Sequence, residues 1–75
     1  MKEHDTVVLV GDLPEHGLRD GDLGTIVMVH GQGAGFEVEF ATLRGETVAV
    51  VSLPPDRVRA ISPKEIGSAR EVASA

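Results

Sequence analysis

The sequence predicts a small all-β domain, a five-stranded and partly open barrel. Within residues 4–61, five short runs rich in Val, Ile, Leu and Phe are separated by clusters of Gly, Pro and Asp. Residues 36–40 alternate strictly between apolar and acidic side chains, as a strand with one buried face does. Gly21 and Gly24 frame a tight turn that opens directly into β-branched residues. A partly closed barrel is favoured over a flat sheet, because closing the sheet on itself removes exposed edge strands.

Five strands are predicted along the chain. They are residues 6–10, 25–30, 36–40, 47–51 and 58–61. In the third strand, alternation directs Phe36, Val38 and Phe40 into the core, and it leaves Glu37 and Glu39 in water. With no Trp and no Tyr, the rest of the core is built from Val, Leu and Ile.

The connection over residues 11–23 is the longest and contains Pro14 and several glycines, which exclude a helix. Leu13, Leu18 and Leu23 recur along it, and we expect them to pin the loop to the barrel. A connection of this length without regular structure is often functional.

The other connections are short. Residues 31–35 predict a hairpin loop, because a phosphate loop would need a following helix and a nearby Lys. Arg44 and Gly45 turn the chain into the fourth strand, and a single 3₁₀ turn after Pro55 leads into the last strand.

The C-terminal tail, residues 62–75, differs from the barrel. Ser62 and Glu65 have the spacing of a helix capping box, and Pro63 suits the first helical position. Gly67 interrupts this segment, and few apolar side chains follow it. The sequence therefore predicts a frayed short helix or a disordered tail.

Composition narrows the function classes. The 75 residues make one domain, and the absence of Cys excludes disulfides and thiolate metal sites. A formal net charge of −5 argues against nucleic acid as the main partner. No segment has the length of a membrane span and the N-terminus lacks a signal core, so we expect a cytoplasmic protein. The thin core leaves homo-oligomerisation open.

The acidic side chains of the long loop are the candidate site. Asp12, Glu15, His16, Asp20 and Asp22 offer oxygen ligands and one imidazole, which admits a divalent cation. Their spacing does not match an EF-hand, and one His makes a poor zinc site. A solvated acidic loop is the favoured interpretation, with no metal and no cofactor.

Other reactive or basic residues give weaker signals. His4 and His30 have no Ser or Cys neighbour in sequence that would indicate a nucleophile, so no catalytic residue is predicted. Arg57 and Arg59 alternate on the closing strand, where they would contact nucleic acid or, as we expect, pair with Glu37 or Glu39.

Five segments carry a resemblance to a known family. They are residues 5–9, 12–18, 21–27, 36–40 and 45–51. Together they resemble a family of small bacterial proteins of unknown function with SH3-like barrels, often encoded as short stand-alone reading frames, some beside genes that resemble toxin or mobile-element modules. Residues 7–10 and 21–29 are also similar to the KOW-type motif of ribosomal and transcription-elongation proteins. Neither resemblance assigns a functional residue.

Two functions remain open from the sequence. The first is a non-catalytic protein-interaction module, an antitoxin-like or regulatory partner of a neighbouring gene product. It would bind through Glu15, His16, Asp20 and Asp22 or through an exposed strand edge. The alternative is a KOW-like RNA- or ribosome-associated module, which the net charge and the lack of stacking aromatics oppose.

Overall fold

The computed structural model describes residues 1–72 and confirms the all-β class. The strands are β1 (Thr6–Leu9), β2 (Leu23–His30), β3 (Gly35–Ala41), β4 (Thr47–Leu53) and β5 (Val58–Ala60). All neighbours are antiparallel, in the order β4-β3-β2-β1-β5. Two 3₁₀ turns, Pro14–His16 and Pro55–Arg57, are the only helical segments among these residues. No helix in this part of the chain is long and apolar enough to cross a membrane.

The sheet is curled but is not closed into a barrel. β4 and β5 lie at opposite edges of the hydrogen-bonded order, yet only residues 54–57 join them. Five residue steps span at most about 18 Å, less than the roughly 19 Å between the outer strands of a flat five-stranded sheet. Because the connection also forms a 3₁₀ turn after Pro55, as predicted, the sheet must bend to bring its edges nearer to each other.

The core lies on one face of this sheet. Phe36, Val38 and Phe40 are at most 3% exposed, which confirms the predicted alternation of β3. Ten buried side chains form one cluster: Val7, Leu9, Leu13, Leu18, Ile26, Phe36, Val38, Phe40, Leu53 and Val58. Glu37 and Glu39 project from the opposite, outer face, but they are half-buried there rather than fully in water.

A bulge in β2 changes what the outer face displays. Ile26 lies opposite Val38, and Met28 lies opposite Glu37, so β2 has one extra residue at this point. Val27 and Met28 are consequently both exposed, at 42% and 50%. Alternation alone would have turned Met28 towards the core.

The long connection is anchored by two of its three leucines. Leu13 and Leu18 are buried and form an isolated bridge to each other. The expectation for Leu23 was wrong, because this residue begins β2 and is 49% exposed. Leu23 pairs with Val8, which projects away from Val7 and Leu9 by strand alternation, so both side chains lie on the outer face.

The tail forms the contacts of a capping box without a helix. The Ser62 N–H donates to Glu65 Oε1 at 2.7 Å, and the Lys64 N–H donates to Ser62 Oγ at 3.2 Å. No helix follows among residues 61–72, so the predicted short helix is absent from the described part of the tail. Its remaining positions, 73–75, lie outside the described residues. Glu65 also accepts two hydrogen bonds from Arg59 of β5.

Candidate functional site

The acidic loop is shaped by its own carboxylates. Asp20 accepts a hydrogen bond from the Gly11 N–H at 2.7 Å, and Asp12 accepts one from the Asp20 N–H at 2.8 Å. These bonds tie the two ends of the loop together, as Asp side chains do in turns. Two carboxylates of the predicted site therefore have a structural role, although both residues are exposed.

Asp22 is held by the C-terminal tail. Its Oδ1 accepts from Arg70 Nε at 3.0 Å and its Oδ2 from Arg70 Nη2, while Arg70 Nη2 also donates to the Gly17 carbonyl at 3.1 Å. The Arg19 N–H donates to Asp22 Oδ2 at 2.8 Å. Burial raises the pKa of Asp22, but the bonds from Arg70 and from Arg19 outweigh it and lower that pKa.

The remaining members of the predicted site stand apart from this network. Glu15 and His16 occupy the exposed first 3₁₀ turn, which Gly17 ends in the left-handed conformation. Within residues 1–72, no group of three or more His, Asp or Glu side chains is arranged to hold a metal ion. The structure thus does not gather Glu15, His16, Asp20 and Asp22 around one point, and their binding of a partner stays a prediction.

The two arginines of the closing segment have other partners than those expected. Arg57 donates from Nε to the Val10 carbonyl at 2.7 Å and from Nη2 to the Asp12 carbonyl at 3.0 Å. Arg59 forms an ion pair with Glu65 at 2.7 Å, and this hydrogen-bonded contact raises the pKa of Arg59. The expected pairing with Glu37 or Glu39 was wrong because those glutamates lie on β3, two strands away from β1 and three from β5.

Glu37 and Glu39 instead bind side chains of the neighbouring strands. Glu37 Oε2 accepts from the Ser52 hydroxyl and contacts His30 Nε2 at 2.6 Å. Glu39 Oε2 accepts from the Thr47 hydroxyl at 2.5 Å. The bond from Ser52, and next that from His30, lowers the pKa of Glu37, so its carboxylate is charged at neutral pH.

This arrangement does not activate a nucleophile. The Ser52 hydroxyl donates to Glu37 rather than to His30, whereas a nucleophilic Ser gives its proton to a base that a third group orients. The Ser, His and Glu side chains form a cross-strand polar contact on an exposed sheet face. The hydrogen bonds hold the Glu37 carboxylate in place, and it is charged.

The edge formed by β4 adjoins these glutamates. β4 pairs with β3, and no described residue pairs with its other side. Its sequence from Thr47 to Leu53 has no charged residue and no proline, and Val50 is 52% exposed. Beside the end of the strand lies a shallow hollow of about 350 Å³, lined in part by Phe36, Leu53 and Pro54. Such an edge is a template for a further strand.

Sequence reasoning predicted the β4 strand but not its position at the edge of the sheet. The alternation of Ser52, Val50 and the core-facing Val51 is visible in the sequence. Which strands are at the edges depends on the pairing order, and that order is set by contacts between distant residues. The contact of Arg70 with Asp22 joins residues 48 positions apart, and no local sequence pattern predicts it.

Fold and site together define a small all-β domain with an open sheet and one long, uncharged edge. The chain belongs to the domain-of-unknown-function family DUF4926, whose family model matches residues 3–60. This match confirms the expected relation to a small family of unknown function, and it ends at the last residue of β5. No curated protein and no solved structure matches the chain.

Proposed function

We propose that this domain is a non-catalytic protein-interaction module that accepts an extended segment of a partner protein along β4. The observation that carries the proposal is the edge itself, seven residues long, uncharged and without proline. Strand addition at such an edge gives affinity through main-chain hydrogen bonds and specificity through alternate side chains. The partner is the product of a neighbouring gene, to which the domain is an antitoxin-like or regulatory subunit in the cytoplasm.

The two edges of the sheet differ in a way that supports this choice. β5 has only three residues, and its exposed Arg59 is paired with Glu65 of the tail. Short length and charge are the usual protection of an edge strand against pairing. β4 lacks both, and its only irregularity is a register shift near its start, opposite Phe40 and Ala41. The regular stretch that follows the shift is therefore the accessible template.

Charge indicates which partner is favoured. The net charge of −5 attracts a basic chain and repels nucleic acid. Arg57 and Arg59, the basic pair that RNA binding would need on the closing strand, are already bound to backbone carbonyls and to Glu65. The alternative of a ribosome- or RNA-associated module consequently rests on the KOW-like sequence motif, and the contacts of these two arginines do not support it.

An edge variant with a matched control tests the proposal. Val50→Lys places a charge on the exposed edge, as natural edge strands do, whereas Val50→Thr retains a β-branched side chain. Wild type and both variants, immobilised, are exposed to lysate of the native host, and retained protein and RNA are quantified. Circular dichroism checks that all three are folded.

The expected result is one protein retained by wild type and by Val50→Thr, and lost from Val50→Lys. Equal retention by Val50→Lys would show that the partner does not use β4. Retention of RNA that disappears on replacing Arg57 and Arg59 by Gln would favour the RNA-associated alternative. Concentration-dependent pairing of the purified domain, abolished by Val50→Lys, would identify a second copy of this chain as the occupant.

A further inference from the structure

We infer that the strand accepted by β4 carries Lys or Arg at two positions separated by one residue, and that Glu37 and Glu39 recognise them. The inference rests on the proposed function and specifies the chemistry of its partner. It follows from the register of β3 and β4, from the hydrogen bonds of the two carboxylates and from the exposure of Val50.

The register aligns each glutamate with one outward-facing position of the edge. Glu37 lies opposite Ser52, and Glu39 lies opposite Val50. A strand added beside β4 continues these two rows, and its outward side chains follow the same two-residue spacing. Two of its side chains thus lie in the rows of the two glutamates, one strand beyond β4.

Each carboxylate has an oxygen available to such a side chain. The hydrogen bonds from Ser52 and His30 both reach Oε2 of Glu37, and that from Thr47 reaches Oε2 of Glu39. Among the described residues, none donates to the Oε1 atom of either glutamate. The hydroxyl bonds fix the rotamers, so the second oxygens are held in place on the outer face before a partner arrives.

Two side chains of β4, Val50 and Ser52, lie between the glutamates and the added strand. Both allow a long basic side chain to cross β4 and reach a glutamate. Val50 is apolar and 52% exposed, and Ser52 is short. Lys and Arg cover apolar surface with their methylene stems while the charged group reaches a polar partner. A basic side chain can therefore lie across Val50 and bind Glu39, whereas an acidic one would meet a like charge.

Synthetic peptides separate this inference from the proposed function. The probes are a peptide of alternating valine and lysine and its counterpart with glutamine in place of every lysine. Each is titrated into isotope-labelled full chain, and the shifts of the β4 amides report both the site and the affinity. The variants are Glu37→Gln and Glu39→Gln, which keep an acceptor for the hydroxyl bonds. Glu46→Gln is the control, since it removes the same charge from the exposed β3–β4 turn.

The lysine peptide should shift the β4 amides and bind more tightly than the glutamine peptide. Glu37→Gln and Glu39→Gln should each lower the affinity for the lysine peptide by up to about fivefold, the range of an exposed ion pair. Glu46→Gln should lower this affinity by less. Equal binding of both peptides at β4, unaffected by the glutamine variants, would overturn the inference and leave the proposed function standing. Absence of β4 shifts with either peptide would overturn both.

Discussion

The guanidinium of Arg70 forms a bidentate ion pair with the carboxylate of Asp22, 48 positions earlier in the chain. This pair connects the tail to the long loop. Arg70 also donates to the Gly17 carbonyl, so one side chain of the tail bridges both ends of the segment that follows the first 3₁₀ turn. Val72, just beyond it, is half-buried. The tail, which lies outside the family match, therefore contacts the domain, although its composition predicts little docking.

Replacing Arg70 by Gln should loosen the tail and the loop while the sheet stays folded. Amide exchange of residues 17–22 should become faster, and the difference from wild type should shrink at high salt, because salt screens an ion pair that is only partly buried. Asp22→Asn combined with Arg70→Gln should add little to either single change. Fully additive effects on the melting temperature would mean that the two side chains do not act as a pair.

Gly24→Ala should destabilise the domain strongly. A Cβ at this position would come within 2.5 Å of Val38 Cγ1 and 2.9 Å of a Phe40 ring atom, in the centre of the core. Overpacking of this kind costs about 1–3 kcal/mol. The matched control is Gly35→Ala, whose Cβ would meet nothing closer than the Leu53 carbonyl at 3.5 Å. Denaturant unfolding that gives equal stabilities for both variants would contradict this packing.

Replacement of valine by lysine should unfold the domain on the core face of the sheet and be tolerated on the outer face. Val38→Lys buries a charge among Phe36 and Phe40 at a position with 0% exposure, and a domain this small cannot tolerate an unpaired buried charge. Val50→Lys places the charge on the outer face opposite Glu39, so the fold should persist. Circular dichroism should show loss of the cooperative transition for Val38→Lys alone. A cooperative Val38→Lys variant would refute the assignment of the core face.

The first tail turn should respond to acid in a defined range. The hydrogen bonds from Arg59, and next that from the Ser62 N–H, lower the pKa of Glu65 from 4.5 to about 2. Because the folded-state pKa is depressed, the contribution of this contact to stability is complete above about pH 4.5 and is lost as the pH falls towards 2. Carboxyl chemical shifts should show this titration, and Arg59→Gln should move it upwards. A Glu65 titration unchanged by Arg59→Gln would exclude the ion pair.

Local patterns in the sequence were sufficient for most of the strands. The alternation of residues 36–40 identified both the buried and the outward side chains of β3, because a period of two admits only one arrangement against a core. The same logic would place Met28 in the core, but the bulge in β2 inserts a residue that no periodicity signals, and Met28 is exposed. Leu23 was assigned to the loop because its role as the first residue of β2 depends on pairing with Val8.

The candidate site was less accessible to sequence reasoning. The acidic residues of the loop were found from their clustering, but clustering does not show that Asp12 and Asp20 bind backbone N–H groups. Arg59 was assigned a partner across the sheet, whereas its partner is Glu65, six positions along the chain. The exposed edge of β4 follows from the strand order, which is a property of the whole fold.

Amide hydrogen exchange of the labelled domain, with and without the partner retained in the edge-variant experiment, shows whether a partner adds a strand along β4. In the unbound domain, those β4 amides that point away from β3 should exchange rapidly, because they have no acceptor among the described residues. We expect the partner to slow exchange within Thr47–Leu53 and to leave exchange in the loop over residues 11–22 unchanged. Protection of that loop, with β4 exchanging as rapidly as before, would contradict this expectation.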